Sequence, residues 1–352
     1  MNSLSWKLED LSKITPNGCN VFTTFACGGG STMGYKLAGY EVLGANDIDP
    51  EMAQVYQTNH KPKHFYLKPI GELVEQFRRD GVPDYLSGLD LLDGSPPCSS
   101  FSTSGNRDSD WGKKKMFREG QAHQVLDDLF FDYLNLLEIL QPRTFVAENV
   151  TGMFKGKAKG YAKQVVNRAK AIGYKVQVFQ INATACGVPQ IRERLFFVGT
   201  KEAKADLVLE LKGKMMSQRE ACLGLILDDL DLESAKIKDG SEARALWMRT
   251  KMGQSLAKVH SKGSFFGHKK NHPNRPVNTL TGDAHTHLHG FEPRSFTWKE
   301  FLRLGSFPDD FNLCEPRRAR WNKKAAYLVG MSVPPFMIRD LSRAIYDQWL
   351  QT

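Results

Sequence analysis

Asn20-Val21-Phe22-Thr23-Thr24-Phe25-Ala26-Cys27-Gly28-Gly29-Gly30, followed after a short interval by Glu41-Val42-Leu43-Gly44-Ala45-Asn46-Asp47, decides the fold. Asn20–Phe25 mixes apolar and β-branched side chains and reads as a strand, broken by the glycines; Ser31 is placed to cap the helix that follows. Residues 41–46 read as a second strand ending in Asp47. A glycine-rich turn after a first strand lets bare backbone and a helix N-terminus approach a nucleotide-like ligand, and an acid closing the second strand can accept hydrogen bonds from ribose hydroxyls. The spacing is not G-x-G-x-x-G, which disfavours a nicotinamide cofactor. Asp47 alone would read equally well as a surface carboxylate.

The alternation continues outward. Asp90–Gly94 reads as a third strand, cut off by Pro96-Pro97. Val125–Leu140 has helical periodicity and stops at Pro142, and Thr144–Ala147 is a short buried strand delivering Glu148-Asn149. Tyr174–Ile181 and Arg194–Val198 read as a further strand pair. Strands alternating with helices predict an α/β fold with a parallel sheet. Beyond Thr200 the alternation fades, until a helix running from Ala325 into Leu328 meets Gly330 and another spans residues 335–349.

A chain of 352 residues, 41% hydrophobic, suffices for one large core or a main domain with a smaller one. It has no apolar run of about 18 residues and no secretory pattern at Met1–Asp10, so a soluble cytoplasmic protein without membrane contact is expected. The six cysteines form no C-x-x-C pair, which points to reduced thiols rather than a zinc site or disulfide framework. The net charge of +9 raises the prospect of a polyanionic partner. Between 241 and 275, Arg244, Arg249, Lys251, Lys258, Lys262, Lys269, Lys270 and Arg275 face one acid, Glu242. Such a run is most often a solvated surface.

The sharpest signal is Gly94-Ser95-Pro96-Pro97-Cys98-Ser99-Ser100-Phe101-Ser102. Two prolines forbid helix and sheet alike, so a stiff turn presents one thiol at the carboxyl edge of the sheet. A structural cysteine more often lies inside an apolar run. Cys98 therefore reads as a nucleophile.

At this point the chain resembles the DNA (cytosine-5) methyltransferase family, whose hallmark is a Pro-Cys dipeptide here. Further matches follow in the family's order: Phe25–Gly30, Asn46–Asp49, Glu148-Asn149-Val150, Gly187–Arg194 with its Q-x-R-x-R pattern, Arg275–Thr281 with Arg294–Phe311, and Gly330–Pro335. The resemblance implies a Rossmann-like class I methyltransferase sheet with helices on both faces, plus a small target-recognition domain. It assigns residues 1–200 to a catalytic domain and 201–274 to a target-recognition region, with 275–352 returning to the catalytic domain. It also implies S-adenosylmethionine as cofactor, held by Phe25, Ala26, Cys27, Gly28, Gly29, Gly30, Asp47, Ile48, Ile70, Pro97 and Ser332. Cys98 is assigned the attack on carbon 6 of a cytosine, and Glu148 the exocyclic amine and ring N3. Arg194 is assigned the base carbonyl, with Arg192 in support; two residues apart on an extended segment, they would point the same way. The base must leave the duplex to be reached. Ser99, Ser102, Ser104, Arg107 and Lys113, in a polar segment suited to a mobile loop, are expected on DNA, with Lys269 and Lys270 from the basic stretch.

The sequence departs from the family's usual pattern at four places. Thr23 stands where an Asp is usual and Cys27 where the first Gly is; Lys68-Pro69-Ile70 replaces G-D-I, and Met331 replaces an Asn. His285, His287 and His289 alternate, but without a supporting carboxylate or thiol pattern, and no metal is expected. A tRNA cytosine methyltransferase lacks support, because the C-F-T tripeptide is missing. An amino-methylating enzyme would have an aromatic residue in place of Cys98. A catalytically silent DNA-binding regulator is disfavoured by intact Cys98, Glu148, Arg192 and Arg194. The expected partner is duplex DNA, with the protein monomeric and any cognate restriction endonuclease not in physical complex with it. A bacterial or phage origin is expected from the short target region.

Overall fold

The computed structural model describes residues 4–97, 114–115, 124–125, 129–154, 158–202 and 205–351. The chain forms two compact units, neither a continuous span: the larger comprises Ile14–Ile181, Glu193–Glu210 and Ile338–Thr352, the smaller Met1–Lys13, Asn182–Arg192 and Leu211–Met337.

The larger unit is built on a seven-stranded sheet of β1 (Asn20–Thr24), β2 (Glu41–Asp47), β3 (Phe65–Leu67), β4 (Leu91–Gly94), β5 (Thr144–Val150), β6 (Lys175–Asn182) and β7 (Glu193–Thr200), in the order β3-β2-β1-β4-β5-β7-β6. From β3 to β5 the pairings are parallel, and β7 runs antiparallel to β5. All four residues of β4 are buried. Successive strand side chains face opposite sides, so a wholly buried strand needs cover on both faces. On one face, Phe22, Leu92, Phe145 and Phe197 pack with α3 (Ile70–Asp80), α4 (Leu129–Leu140) and α5 (Ala158–Ala171). Ile70, Leu73, Val74 and Phe77 supply α3's apolar stripe at helical spacing. On the other face lie α1 (Gly30–Leu37) and α2 (Pro50–His60), where Tyr56 clusters with Ala26 and Ala45.

Several expectations need correction. Gly29, not Ser31, caps α1; its left-handed φ of 91° suits glycine, and Ser31 already lies within the helix. The helix expected from Val125 is described from Leu129, and Val125 instead pairs with Lys114 in a short antiparallel ladder. Strand β3 was not legible, being only three residues long. Gly330 lies inside the helix Trp321–Met331 rather than ending it. The last helix, Pro335–Ile345, passes into a π-helical turn at Tyr346–Leu350.

The smaller unit consists of short helices fixed by polar side chains. Capping boxes at Ser217, Asp228 and Thr297 each satisfy two backbone N–H groups. Glu300, from one such box, also receives both Nη atoms of Arg294, at 2.6 and 3.1 Å. Among the described residues, no helix is long and apolar enough to cross a membrane.

Tyr133 of α4 places its hydroxyl 3.0 Å from the carbonyl oxygens of both Leu92 and Val146, bridging β4 and β5. That ring leaves no room beside Gly94, where a Cβ would lie 2.5 Å from it and 2.6 Å from Thr24 Oγ1. Gly94→Ala is therefore expected to lower the unfolding free energy by about 1–3 kcal/mol. Urea denaturation measures this, and an unchanged midpoint would show that the strand end is not tightly packed.

Candidate active site

The carboxyl ends of β1, β2, β4 and β5 lie side by side, the edge at which open α/β sheets bind ligands. The glycine turn leaves β1 through a contorted backbone: Phe25 and Cys27 have φ of 53° and 48°, a region bulky side chains avoid, and Gly29 follows at 91°. Two side chains hold this shape. Asp47 accepts Cys27 N–H at 2.6 Å through one carboxylate oxygen and Asp49 N–H at 2.7 Å through the other. Burial pushes its pKa up to about 6, against the opposing pull of these bonds, so the group is largely ionised at neutral pH.

The other is His60, which the sequence did not single out. Its Nε2 lies 3.1 Å from Gly28 O, and a Cβ at Gly29 would stand 2.0 Å from that nitrogen. Burial, with Lys36 nearby, pushes the ring down to about 3, so it is neutral and Nε2 carries the proton given to Gly28. A lone histidine at a helix end offered no signal for this role. Of the other expected cofactor residues, Ile48 and Pro97 are half-buried. The Ile70 side chain is 2% exposed and belongs to the hydrophobic core.

Strand β5 carries Glu148 and Asn149 to the same edge. Asn149 donates to Pro96 O at 3.0 Å and so anchors the proline turn after β4. Glu148 is 8% exposed and needs a cationic partner, which the antiparallel neighbour supplies: Arg194 pairs with Val150 in β7, and its Nε reaches Glu148 Oε1 at 2.8 Å. Arg194 Nη1 also donates to Glu193 O. Beneath these groups, Asp93 is buried in β4 and accepts a hydrogen bond from Tyr35 at 3.0 Å. An acid within Leu91-Leu92-Asp93-Gly94 was the available sequence signal for it. Cys98, Ser99, Ser102, Ser104, Arg107 and Lys113 lie outside the described residues.

The smaller unit holds the remaining expected residues. Arg192 has other partners than Arg194. It is 3% exposed and donates to the carbonyl oxygens of Leu280, Gly330 and Ser332 at 3.2, 3.0 and 3.1 Å, so its charge secures local chain geometry. Ser332 is buried, and its hydroxyl has no hydrogen-bond partner among the described residues. Lys270 is also buried: Nζ lies 3.6 Å from the centroid of the Trp247 ring and donates to Trp247 O at 3.2 Å. Trp247 Nε1 in turn donates to His289 O. Lys270 is thus engaged in the unit's own core, correcting the expectation of a phosphate contact, whereas Lys269 is exposed. His287 Nε2 accepts the Thr281 N–H at 2.9 Å, and among the described residues no cluster of His, Cys, Asp and Glu could hold a metal ion.

Residues 19–347 match the family described as C-5 cytosine-specific DNA methylase. The chain belongs to this family. Among curated members, it is 28% identical to the Type II methyltransferase M.DdeI of Desulfomicrobium norvegicum, the match covering 93% of this chain and 88% of that one. It is 25% identical to the Type II methyltransferase M1.HphI of Haemophilus parahaemolyticus, over 91% and 85% of the two. Among solved structures, an E. coli protein regarded as a prophage-encoded DNA modification methyltransferase superposes with a TM-score of 0.70 at 20% identity, covering 94% of this chain and 99% of that one. That likeness is one of fold. As a family member the chain is a DNA (cytosine-5-)-methyltransferase.

The two lysines give a direct check. Lys270→Ala is expected to cost about 1–2 kcal/mol of stability, through the lost ring contact and buried hydrogen bond. Lys269→Ala is expected to stay within about 0.5 kcal/mol of the parent. Equal effects in thermal melts would contradict the different burial of the pair.

Proposed function

We propose that the protein transfers a methyl group from S-adenosylmethionine to carbon 5 of a cytosine flipped out of a specific duplex DNA sequence. The observation that carries the reading is the Glu148–Arg194 pair at 2.8 Å, next to the proline turn that leads into Cys98. The Phe25–Gly30 turn and Asp47 fit the cofactor: Asp47 accepts the Cys27 and Asp49 N–H groups and, closing β2, is the acid placed for a ribose hydroxyl. Bound there, S-adenosylmethionine supplies an electrophilic methyl group.

The chain's own residues prepare the base. Carbon 5 of cytosine is a poor nucleophile until the Cys98 thiolate adds at carbon 6 and the displaced electron pair becomes available at carbon 5. Glu148 holds the exocyclic amine and N3, stabilising the protonated ring as charge shifts. Arg194, fixed by Glu148, faces the base carbonyl. At the end, water accepts the carbon-5 proton, the carbon–sulfur bond breaks, and the thiolate returns. Arg192 holds the Leu280, Gly330 and Ser332 carbonyls in place.

Extruding the base costs a few kcal/mol, offset by phosphate contacts. We assign those to Ser99, Ser102, Ser104, Arg107 and Lys113, and to Lys269 of the basic stretch. In this reading residues 1–200 are catalytic, 201–274 recognise the target, and 275–352 complete the catalytic domain. The relatives named Type II methyltransferases support a place in a restriction-modification system.

Duplex DNA with 5-fluorocytosine at the target site tests the mechanism, because fluorine cannot leave as a proton does. With S-adenosylmethionine present, the parent protein should form an adduct that survives denaturing electrophoresis, and Cys98→Ala should form none. An adduct persisting in that variant would displace Cys98 as the nucleophile.

A further inference from the structure

Beneath the glycine turn lies a buried polar layer to which the proposed chemistry gives no task. Asp93 of β4 is 2% exposed and pairs with Thr23 of β1 on one side and Val146 of β5 on the other. Leu92 belongs to the main core, and Asp93, next along the strand, faces the opposite side, where it meets α1. Tyr35 donates to Asp93 Oδ1 at 3.0 Å, and Ser31 bonds to the same carboxyl. Both belong to the helix that the glycine turn opens. Alongside, Thr23 Oγ1 lies 3.5 Å from Thr32 Oγ1, which lies 2.8 Å from Tyr56 OH. The Thr24 hydroxyl donates to the Asp93 carbonyl, tying β1 to β4 at the same level.

A carboxyl inside a central strand is expensive to keep, and packing alone does not call for one. Its connections run in two directions. Through Ser31 and Tyr35 it holds α1, and with α1 the turn of Phe25–Gly30. Along its own strand it leads through Gly94 to Pro96, whose carbonyl is anchored by Asn149. Burial pushes its pKa up to about 8, with Glu148 adding to the rise, so at neutral pH it is largely protonated and can donate as well as accept.

We propose that Asp93 is a positioning residue for methyl transfer: it fastens the start of α1 to the strand end that enters the proline turn, and it supplies from β4 the acidic group that position 23 of β1 lacks. The inference rests on the reading of the glycine turn as the S-adenosylmethionine site.

Calorimetric titration of the full-length protein with S-adenosylmethionine, without DNA, tests this independently of turnover. Asp93→Leu should weaken binding about tenfold, by leaving two hydroxyls unmatched. Asp93→Asn, which keeps a donor and an acceptor in place, should remain within about threefold of the parent. Adding Thr23→Asp to Asp93→Leu should restore most of the lost affinity, because position 23 already faces Thr32 in the first turn of α1. Parental affinity in Asp93→Leu, or a double variant no better than the single one, would overturn the proposal. Should Asp93→Leu fail to fold, Tyr35→Phe serves instead: a loss of about threefold supports the role and an unchanged affinity overturns it. If the parent itself does not bind, the cofactor reading fails and takes this inference with it.

Discussion

A nearly buried carboxylate beside a proline turn must have a cation to hold it, and the antiparallel pairing of β7 with β5 is what provides one. Glu148 lies opposite Phe196, and Arg194 opposite Val150. The two charged side chains therefore start from nearby rungs of the ladder, and the guanidinium reaches back to close a 2.8 Å contact. Were β7 parallel to β5, Arg194, near its start, would lie at the opposite end of the sheet. The same sheet sets Gly94 beside Ala147, so that β4 and β5 end at one level. Asn149 then ties the β4 turn to β5. The candidate chemistry thus depends on strand order before it depends on any single side chain.

The glycine turn shows a second constraint, which is shape maintained against strain. Two non-glycine residues in left-handed conformations would relax if nothing restrained them. Asp47 restrains Cys27 from one side, and His60 supports Gly28 and Gly29 from the other. A charged imidazole would be costly in that position, and burial keeps it neutral. The turn's conformation is therefore built by residues from β2 and α2, remote from it in sequence.

What could be read from the sequence followed from local rules. Strand–glycine–helix punctuation, the prolines before Cys98 and the acid ending β2 are short-range signals, and they located the fold and the residues around Glu148 and Asp47. Long-range partners carried no such mark. His60 is one histidine at the end of a helix, and β3 is too short to show alternation. Arg192 and Arg194 look equivalent in an extended segment, yet one binds three carbonyls and the other a carboxylate. Lys270 and Lys269 are likewise identical in composition. Trp247, distant in sequence, turns the first of them inward. A count of basic residues measures charge, whereas burial decides which charges remain available to a polyanion.

In the proposed function, this sheet edge directs a methyl group to carbon 5 of cytosine. Nucleoside mass spectrometry of duplex DNA incubated with the protein and isotopically labelled S-adenosylmethionine tests it most directly. The label is expected in 5-methyldeoxycytidine. Label in N4-methyldeoxycytidine or N6-methyldeoxyadenosine, or DNA left unlabelled across a random-sequence substrate pool, would contradict it.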